Sequence, residues 1–333
     1  MDKQQVKKIE LGTFIGLTMA LCATVRSIPT LAAVGWTLIS YTIFAVLFFA
    51  GPIALISGEL STMLPQEGGP QLWVKTALGS KWGFVVAWLL WVQMFPGMVM
   101  VASTLGPLLG NTFGNVHLGE NHWFVLGCIL VIYWIITILN LKFDMAKVGG
   151  NIGVWLGVYI PVLVMFVLGL LSMIKVGLTP GGYLGAFSWS KVLPNLENMD
   201  TFKYLAGIAF IFVGIEMSSV YIPRLKDATK NYTKGVFISL IGLVLLNVIN
   251  AMFVANIVPN GKMELSNITQ PILLYCDVLG LPTIIGNIFS FMVFLGVLLQ
   301  LSAWFTGPSK TIIQVARDGL LPPKFGFHRE NKY

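Results

Sequence analysis

Long apolar segments separated by short polar loops make up most of this sequence. A helix needs roughly 20 apolar residues to cross the hydrocarbon core of a bilayer. Eight segments approach or exceed that length, at residues 11–34, 37–57, 83–109, 122–141, 151–174, 204–222, 235–258 and 283–306. The pattern predicts an all-α polytopic membrane protein with about eight transmembrane helices and no separate soluble domain.

Small and polar residues interrupt two of these segments, the first and the sixth. The first contains Thr24-Val25-Arg26-Ser27-Ile28-Pro29, and the sixth contains Gly214-Ile215-Glu216-Met217-Ser218-Ser219. Broken helices that carry polar groups near the bilayer midplane are typical of transporter binding sites. These two interruptions therefore predict a site for a polar ligand.

Arg26 and Glu216 are lone charges within the interrupted segments. A charge at bilayer depth costs about 2.5–3.5 kcal/mol on insertion scales, so it usually faces a partner or a water-filled cavity. Arg26 can clamp a carboxylate through two hydrogen bonds, and Glu216 can line the same site. We therefore expect substrate contacts from Arg26, Ser27, Ile28, Gly214, Glu216 and Met217. The alternative is structural, with Arg26 and Glu216 paired to hold the two helices together.

The eighth segment carries Gly296, Gln300 and Trp304 four residues apart, which places them along one face of a helix. Gln300 both donates and accepts hydrogen bonds, and the Trp304 ring can cover an apolar or cationic group. This face predicts either one wall of the binding pocket, with Gln300 and Trp304 contacting substrate, or a helix-packing surface with a buried amide. In the fifth segment, the glycines at four-residue spacing predict close helix packing, namely Gly149, Gly153 and Gly157.

Composition supports a membrane protein and limits its chemistry. Hydrophobic residues make up 56% and charged residues 11% of the 333 residues, against roughly 25% charged residues in a soluble domain. The sequence contains no HExxH, GxSxG or GxxxxGK(S/T) motif and no Cys or His spacing suited to zinc. We therefore expect no enzyme activity, no metal site and no cofactor.

The distribution of Lys and Arg predicts the orientation in the membrane, because short cytoplasmic loops carry the positive excess. With the N-terminus inside the cell, sixteen of the 21 Lys and Arg residues lie on the cytoplasmic side, four lie outside and Arg26 lies in the membrane. We therefore predict a multi-pass protein of the plasma membrane with both termini in the cytoplasm. The net charge of +7 reflects this topology and does not indicate binding to nucleic acid.

A motif follows the second segment, and it carries a family resemblance. It reads Pro65-Gln66-Glu67-Gly68-Gly69, then Trp73, Leu78-Gly79 and Trp82-Gly83-Phe84. It resembles the EEGG…W…LG…WGF element of the amino acid–polyamine–organocation superfamily, and within it the chain is most similar to the glutamate:gamma-aminobutyrate antiporters. Further similarity lies at Pro29-Thr30 with Gly35, at Gly214-Ile215-Glu216, and at Ala303-Trp304, Gly307-Pro308-Ser309-Lys310 and Gly319-Leu320-Leu321-Pro322.

The resemblance implies two inverted five-helix repeats, with residues 1–175 forming the first repeat and residues 176–333 part of the second. It implies a substrate held where the broken first and sixth helices meet, with the third and eighth helices as the facing wall. It also implies exchange of an external amino acid for its internal decarboxylated amine. Arg26, Glu216, Gln300 and Trp304 fall where the family places substrate-contacting groups.

The sequence departs from the family pattern at the binding site and at its C-terminal end. Arg26 replaces the usual tyrosine and Gln300 the usual acid, which predicts a more positive site. Arg224 and Ala228 replace the acid and the proline of an E-x-x-N-P-like stretch.

The family continues for about four helices beyond Tyr333, so we expect a C-terminally truncated chain that works with a separately encoded C-terminal part or as a homo-oligomer. The alternative to amino acid/amine antiport is a truncated, transport-inactive membrane protein that acts at most as a binding or assembly partner.

Overall fold

The computed structural model describes residues 8–22, 25–65, 69–142, 152–179, 181–194, 202–265, 267–317 and 319–321. Helices make up most of these residues, and β-type backbone pairing within them is limited to two isolated bridges. The predicted all-α polytopic architecture is confirmed. Thr24, the motif residues Gln66, Glu67 and Gly68, Gly149 and Pro322 lie outside the described ranges.

Ten α-helices are described before residue 177. Helices α1 to α5 are Leu11–Cys22, Ser27–Ala32, Leu38–Ala45, Gly51–Met63 and Gly69–Leu78. Helices α6 to α10 are Ser80–Ala102, Leu105–Thr112, Val116–Glu120, His122–Lys142 and Ile160–Val176. A 3₁₀ turn at Gly35–Thr37 leads into α3, and π-helical turns at Val46–Ala50 and Trp155–Tyr159 lead into α4 and α10.

Five more α-helices are described in the rest of the chain. Helices α11 to α15 are Trp189–Val192, Leu205–Phe210, Ala228–Ile257, Gln270–Leu279 and Ile284–Arg317. A 3₁₀ turn at Phe202–Tyr204 leads into α12. A longer 3₁₀ helix, Ile215–Arg224, follows α12 after a short turn.

Five helical stretches of the described chain are long and apolar enough to cross a membrane, namely Gly35–Met63, Ser80–Thr112, His122–Lys142, Trp155–Val176 and Ala228–Ile257. They correspond to the second, third, fourth, fifth and seventh predicted segments. The first and sixth segments are each divided into two short helices, so both predicted interruptions are confirmed. The eighth segment lies in the long helix α15.

The chain divides into two compact units, each built from two separate stretches of sequence. The first unit comprises residues 1–83 and 187–252, and the second unit comprises residues 84–186 and 253–333. Both units therefore combine helices from either side of residue 175. Inverted repeats are related by symmetry and not by contact, so the predicted repeat boundary at that residue stays a prediction.

In the first unit, α1 packs against the 3₁₀ helix Ile215–Arg224 and against α13. Phe14 is fully buried, and its ring centroid lies 5.3 Å from that of Tyr232. Gly235 makes room for this contact, since a Cβ there would lie 2.5 Å from Phe14 Cδ1. Close packing therefore holds α1 onto the elements that follow the second interruption.

In the second unit, α15 crosses the π-helical turn Trp155–Tyr159 at very short range. A Cβ added to Gly296 would lie 2.1 Å from the Gly157 nitrogen, so the two backbones are in direct contact. The predicted close packing at Gly157 is confirmed. Helix α15 also contacts α7, where Asn287 Nδ2 donates to the Asn111 carbonyl at 2.9 Å.

Candidate functional site

The first helix is interrupted between Cys22 and Ser27. Helix α1 ends at Cys22, Arg26 has helical backbone angles, and α2 begins at Ser27. Arg26 and Ser27 are partly exposed, whereas the Ile28 side chain is buried in the core. Among the residues predicted to contact substrate here, Arg26 and Ser27 can therefore present side chains, while Ile28 can offer only its backbone.

A left-handed glycine breaks the sixth helix. Helix α12 ends at Phe210, and the 3₁₀ helix starts at Ile215. Gly214, between them, has φ +102° and ψ −8°, a conformation that costs glycine little and that other residues rarely adopt. The Met217 N–H donates to the Gly214 carbonyl at 3.0 Å, which starts the new helix. The left-handed glycine therefore marks the end of the interruption, directly before the new helix.

The Glu216 carboxylate lies at this break. Its Oε2 accepts a hydrogen bond from the Gly214 N–H at 3.1 Å, and it also interacts with its own backbone N–H. Unpaired N–H groups at the start of a helix favour a negative charge. The side chain is partly exposed, as is that of Met217. Glu216 therefore stabilises the break and can still meet a ligand.

The 3₁₀ helix that carries Glu216 packs against α1, and Ser218 in the same 3₁₀ helix contacts Tyr232 of α13. The structural alternative, in which Arg26 and Glu216 hold the helices together, stays a prediction beside the substrate-contact one.

A buried hydroxyl cluster lies near the break, and the sequence did not predict it. The Tyr232 hydroxyl lies 3.1 Å from Ser218 Oγ, which donates to the Ile215 carbonyl at 2.7 Å. Ser57 and Ser61 of α4 lie beside the same tyrosine hydroxyl, and the four hydroxyl-bearing side chains are all buried. The four-residue spacing of the two serines was the available signal, but it does not indicate which helix they face.

Gln300 and Trp304 lie in the second unit, four residues apart on the continuous helix α15. Their side chains are outside the described part of the structure, so their contact with substrate stays a prediction. Gly296, the third member of that helix face, contacts the Gly157 backbone. The structure therefore uses this position for helix packing.

Five spanning stretches, with two further helices that are interrupted beside charged residues, define a multi-pass helical membrane protein of the transporter class. The family profile described as amino acid permease matches residues 9–333, and the chain belongs to that family. The resemblance to the amino acid–polyamine–organocation superfamily is confirmed by this match and by the antiporters to which the chain is similar.

Three relatives illustrate the proteins to which the chain is similar. The chain is 28% identical to an uncharacterized transporter of Legionella pneumophila, over 98% of this chain and 69% of that protein. It is 25% identical to a glutamate/gamma-aminobutyrate antiporter of Lactococcus lactis, over 95% of this chain and 63% of that protein. It is 23% identical to a probable agmatine/putrescine antiporter of Lactococcus lactis, over 97% of this chain and 67% of that protein. The chain thus spans about two thirds of the length of these relatives.

Proposed function

We propose that this protein is a secondary active transporter that exchanges an amino acid for an amine. The observation that carries the proposal is the placement of Glu216 at the Gly214 break, in a 3₁₀ helix that packs against α1. A partly exposed carboxylate at an interrupted helix offers a fixed polar site within the membrane. The antiporters among the relatives support exchange as the reaction.

The contacts of Glu216 suggest which part of a substrate it receives. The Gly214 N–H is already engaged by the Glu216 carboxylate, so this break favours an ammonium group over a second carboxylate. Arg26, at the other break, supplies the positive charge that a substrate carboxylate needs. The site then suits a molecule that carries both an amine and a carboxylate.

Glutamate and gamma-aminobutyrate each carry an ammonium group and at least one carboxylate, whereas a diamine has no group for Arg26. We therefore infer exchange of the glutamate:gamma-aminobutyrate type, with diamines as poor substrates. From the family resemblance we also propose Gln300 and Trp304 as substrate contacts, since Gln300 can hydrogen-bond a polar group and Trp304 can cover the aliphatic part of the substrate.

We also propose a location in the plasma membrane, with both termini in the cytoplasm. The support is the sixteen-to-four distribution of Lys and Arg between the two sides. In this orientation Lys230 lies at the cytoplasmic end of α13, and Lys262 lies beyond its outer end.

Counterflow in liposomes tests the proposed exchange. Purified protein is reconstituted in liposomes that contain unlabelled glutamate or gamma-aminobutyrate, and entry of labelled glutamate is followed. We expect saturable entry that requires the internal amino acid, and that Trp304→Ala abolishes. Arg26→Ala should raise the apparent Km at least about tenfold, equivalent to about 1.4 kcal/mol.

Lys262→Ala is the matched control, because Lys262 is an exposed cation that belongs to neither interrupted helix, and the Km of this variant should not change. Binding of labelled glutamate without counterflow would contradict exchange and favour a binding role. An unchanged Km in Arg26→Ala, with normal yield, would remove Arg26 from the substrate site.

A further inference from the structure

Five exposed cations gather at the end of the first unit where α1 and α13 begin. The segment before α1 runs alongside the turn before α13: the Ile9 N–H donates to the Arg224 carbonyl at 2.7 Å, and the Lys226 N–H donates to the Ile9 carbonyl at 3.1 Å. This pairing brings together two stretches that are more than 200 residues apart. We call the resulting surface the basic patch, and its members are Lys8, Arg224, Lys226, Lys230 and Lys234.

Two carboxylates, Glu10 and Asp227, accompany the basic patch and do not neutralise it. Glu10 forms a salt bridge with Lys226, and Lys8 Nζ donates to the Pro223 carbonyl. Among the described residues, no salt bridge involves Arg224, Lys230 or Lys234. The part of the patch on α13 therefore carries positive charge that is available to an anion.

The outward face of α13 continues from these lysines as an apolar stripe. Lys230, Lys234, Ile238, Ile241 and Leu245 follow one another at spacings of three or four residues, which keeps them on one side of a helix. The last three side chains are 39%, 58% and 53% exposed. The opposite face of the same helix is buried, at Val236, Leu240 and Leu243.

The length of this stripe matches one leaflet of a bilayer. Lys234 and Leu245 are eleven residues apart, or about 16 Å along a helix, and half of the hydrocarbon core is about 15 Å. An acyl chain that lies against Ile238, Ile241 and Leu245 therefore brings the phosphate of its own headgroup to the level of Lys234 and Lys230. A free anion would gain the charges but not the apolar contact.

We propose that the basic patch and the α13 stripe together bind an anionic phospholipid, with the headgroup phosphate at Lys230 and Lys234. Basic clusters next to the end of a membrane helix attract anionic lipids, and the structure adds a defined path for the acyl chain. The occupant is a lipid and not a soluble anion, because the charged and apolar parts lie on one helix face in the order of a lipid molecule. This inference does not depend on the proposed transport activity.

Lipid binding to the purified full chain in detergent tests this inference. The added lipids are phosphatidylglycerol and phosphatidylcholine with identical acyl chains, and inorganic phosphate is a third addition. Native mass spectrometry reports bound lipid, and thermal unfolding reports stabilisation. We expect phosphatidylglycerol to bind and stabilise at concentrations at which phosphatidylcholine and phosphate do not.

Two double variants connect the binding to the patch. Lys230→Gln with Lys234→Gln should weaken phosphatidylglycerol binding by roughly tenfold or more. Lys203→Gln with Lys262→Gln removes two exposed lysines outside the patch and should leave the binding unchanged. Both variants should unfold at the same temperature without added lipid, because the four lysines are on the surface.

Several results would overturn the inference. Equal binding of the two phospholipids would show that the face has no preference for an anionic headgroup. Competition by inorganic phosphate would assign the lysines to a soluble anion. Undiminished binding in the Lys230→Gln/Lys234→Gln variant would move the lipid elsewhere, and a lipid-free dimer in the mass spectrum would show that a second copy of the chain covers the stripe.

Discussion

The Glu216 carboxylate accepts a hydrogen bond at 3.1 Å from the N–H of Gly214, two residues before it, at the point where the sixth helix is broken. Gly214 allows the break through its left-handed backbone, and Glu216 satisfies the N–H group that the break leaves without a helical partner. The two residues thus stabilise the break together. The same carboxylate that stabilises the interruption is the proposed contact for a substrate amine.

Gly214→Ala should destabilise the first unit by about 1–3 kcal/mol, because an L side chain is strained at φ +102°. Gly207→Ala is the matched control, since a Cβ there would meet its nearest neighbour, Thr30 Cγ2, at an ordinary 3.8 Å. Thermal unfolding of both variants in the same detergent measures the difference. Equal stability of the two variants would show that the break does not depend on the left-handed glycine.

Glu216→Gln should keep the fold and weaken binding of the substrate amine. The glutamine carbonyl oxygen can still accept the hydrogen bond from Gly214, whereas the negative charge is lost. We expect normal yield, a change in unfolding free energy below about 1 kcal/mol, and at least about tenfold weaker ligand affinity. Collapse of the yield, with rescue by a second change Arg26→Gln, would instead reveal a structural charge pair, whose disruption costs about 3–5 kcal/mol.

Two tyrosine-to-phenylalanine changes should differ in their effect on stability. The Tyr232 hydroxyl is hydrogen-bonded to Ser218, so Tyr232→Phe should cost about 0.5–1.5 kcal/mol. The Tyr275 hydroxyl is buried and has no hydrogen-bond partner among the described residues, so Tyr275→Phe removes a group that is unfavourable to bury. We expect Tyr275→Phe to be neutral or stabilising in thermal unfolding. A greater loss of stability in Tyr275→Phe than in Tyr232→Phe would contradict this assignment.

Gly296→Ala should disrupt the packing of α15 in the second unit. The added Cβ would lie 2.1 Å from the Gly157 nitrogen, and backbone atoms cannot move aside as the end of a flexible side chain can. We expect a loss of about 1–3 kcal/mol. Gly127→Ala is the control, because nothing lies within 4 Å of a Cβ there, and it should gain up to about 1 kcal/mol from helix propensity. Unfolding at the same temperature in both variants would refute the direct contact.

Cysteine labelling in intact cells checks the orientation. His117→Cys and Lys230→Cys both introduce a thiol at an exposed position, after the half-exposed Cys128 is replaced by serine. We expect a membrane-impermeant reagent to label position 117 from outside and position 230 only after the cells are opened. Labelling of position 230 in intact cells would reject the predicted topology.

The predictions from sequence were most successful where a property belongs to a single segment. The length of an apolar run determines whether a helix can span the bilayer, and five of the eight predicted segments are continuous spanning stretches. Gly214 and the residues around Arg26 marked the two interruptions through local features: a glycine and a charge within an apolar run. The family motif required no more than residue identity and spacing.

The sequence by itself therefore determined the class of protein, its family, its apolar segments and the two interrupted helices. The tertiary structure was needed to show that Tyr232 faces Ser218 and that Gly296 touches Gly157. The physical reason is that lipid-facing and protein-facing side chains of a membrane helix are equally apolar. Helix periodicity indicates which residues share a face, but the packing of separate helices decides what that face meets.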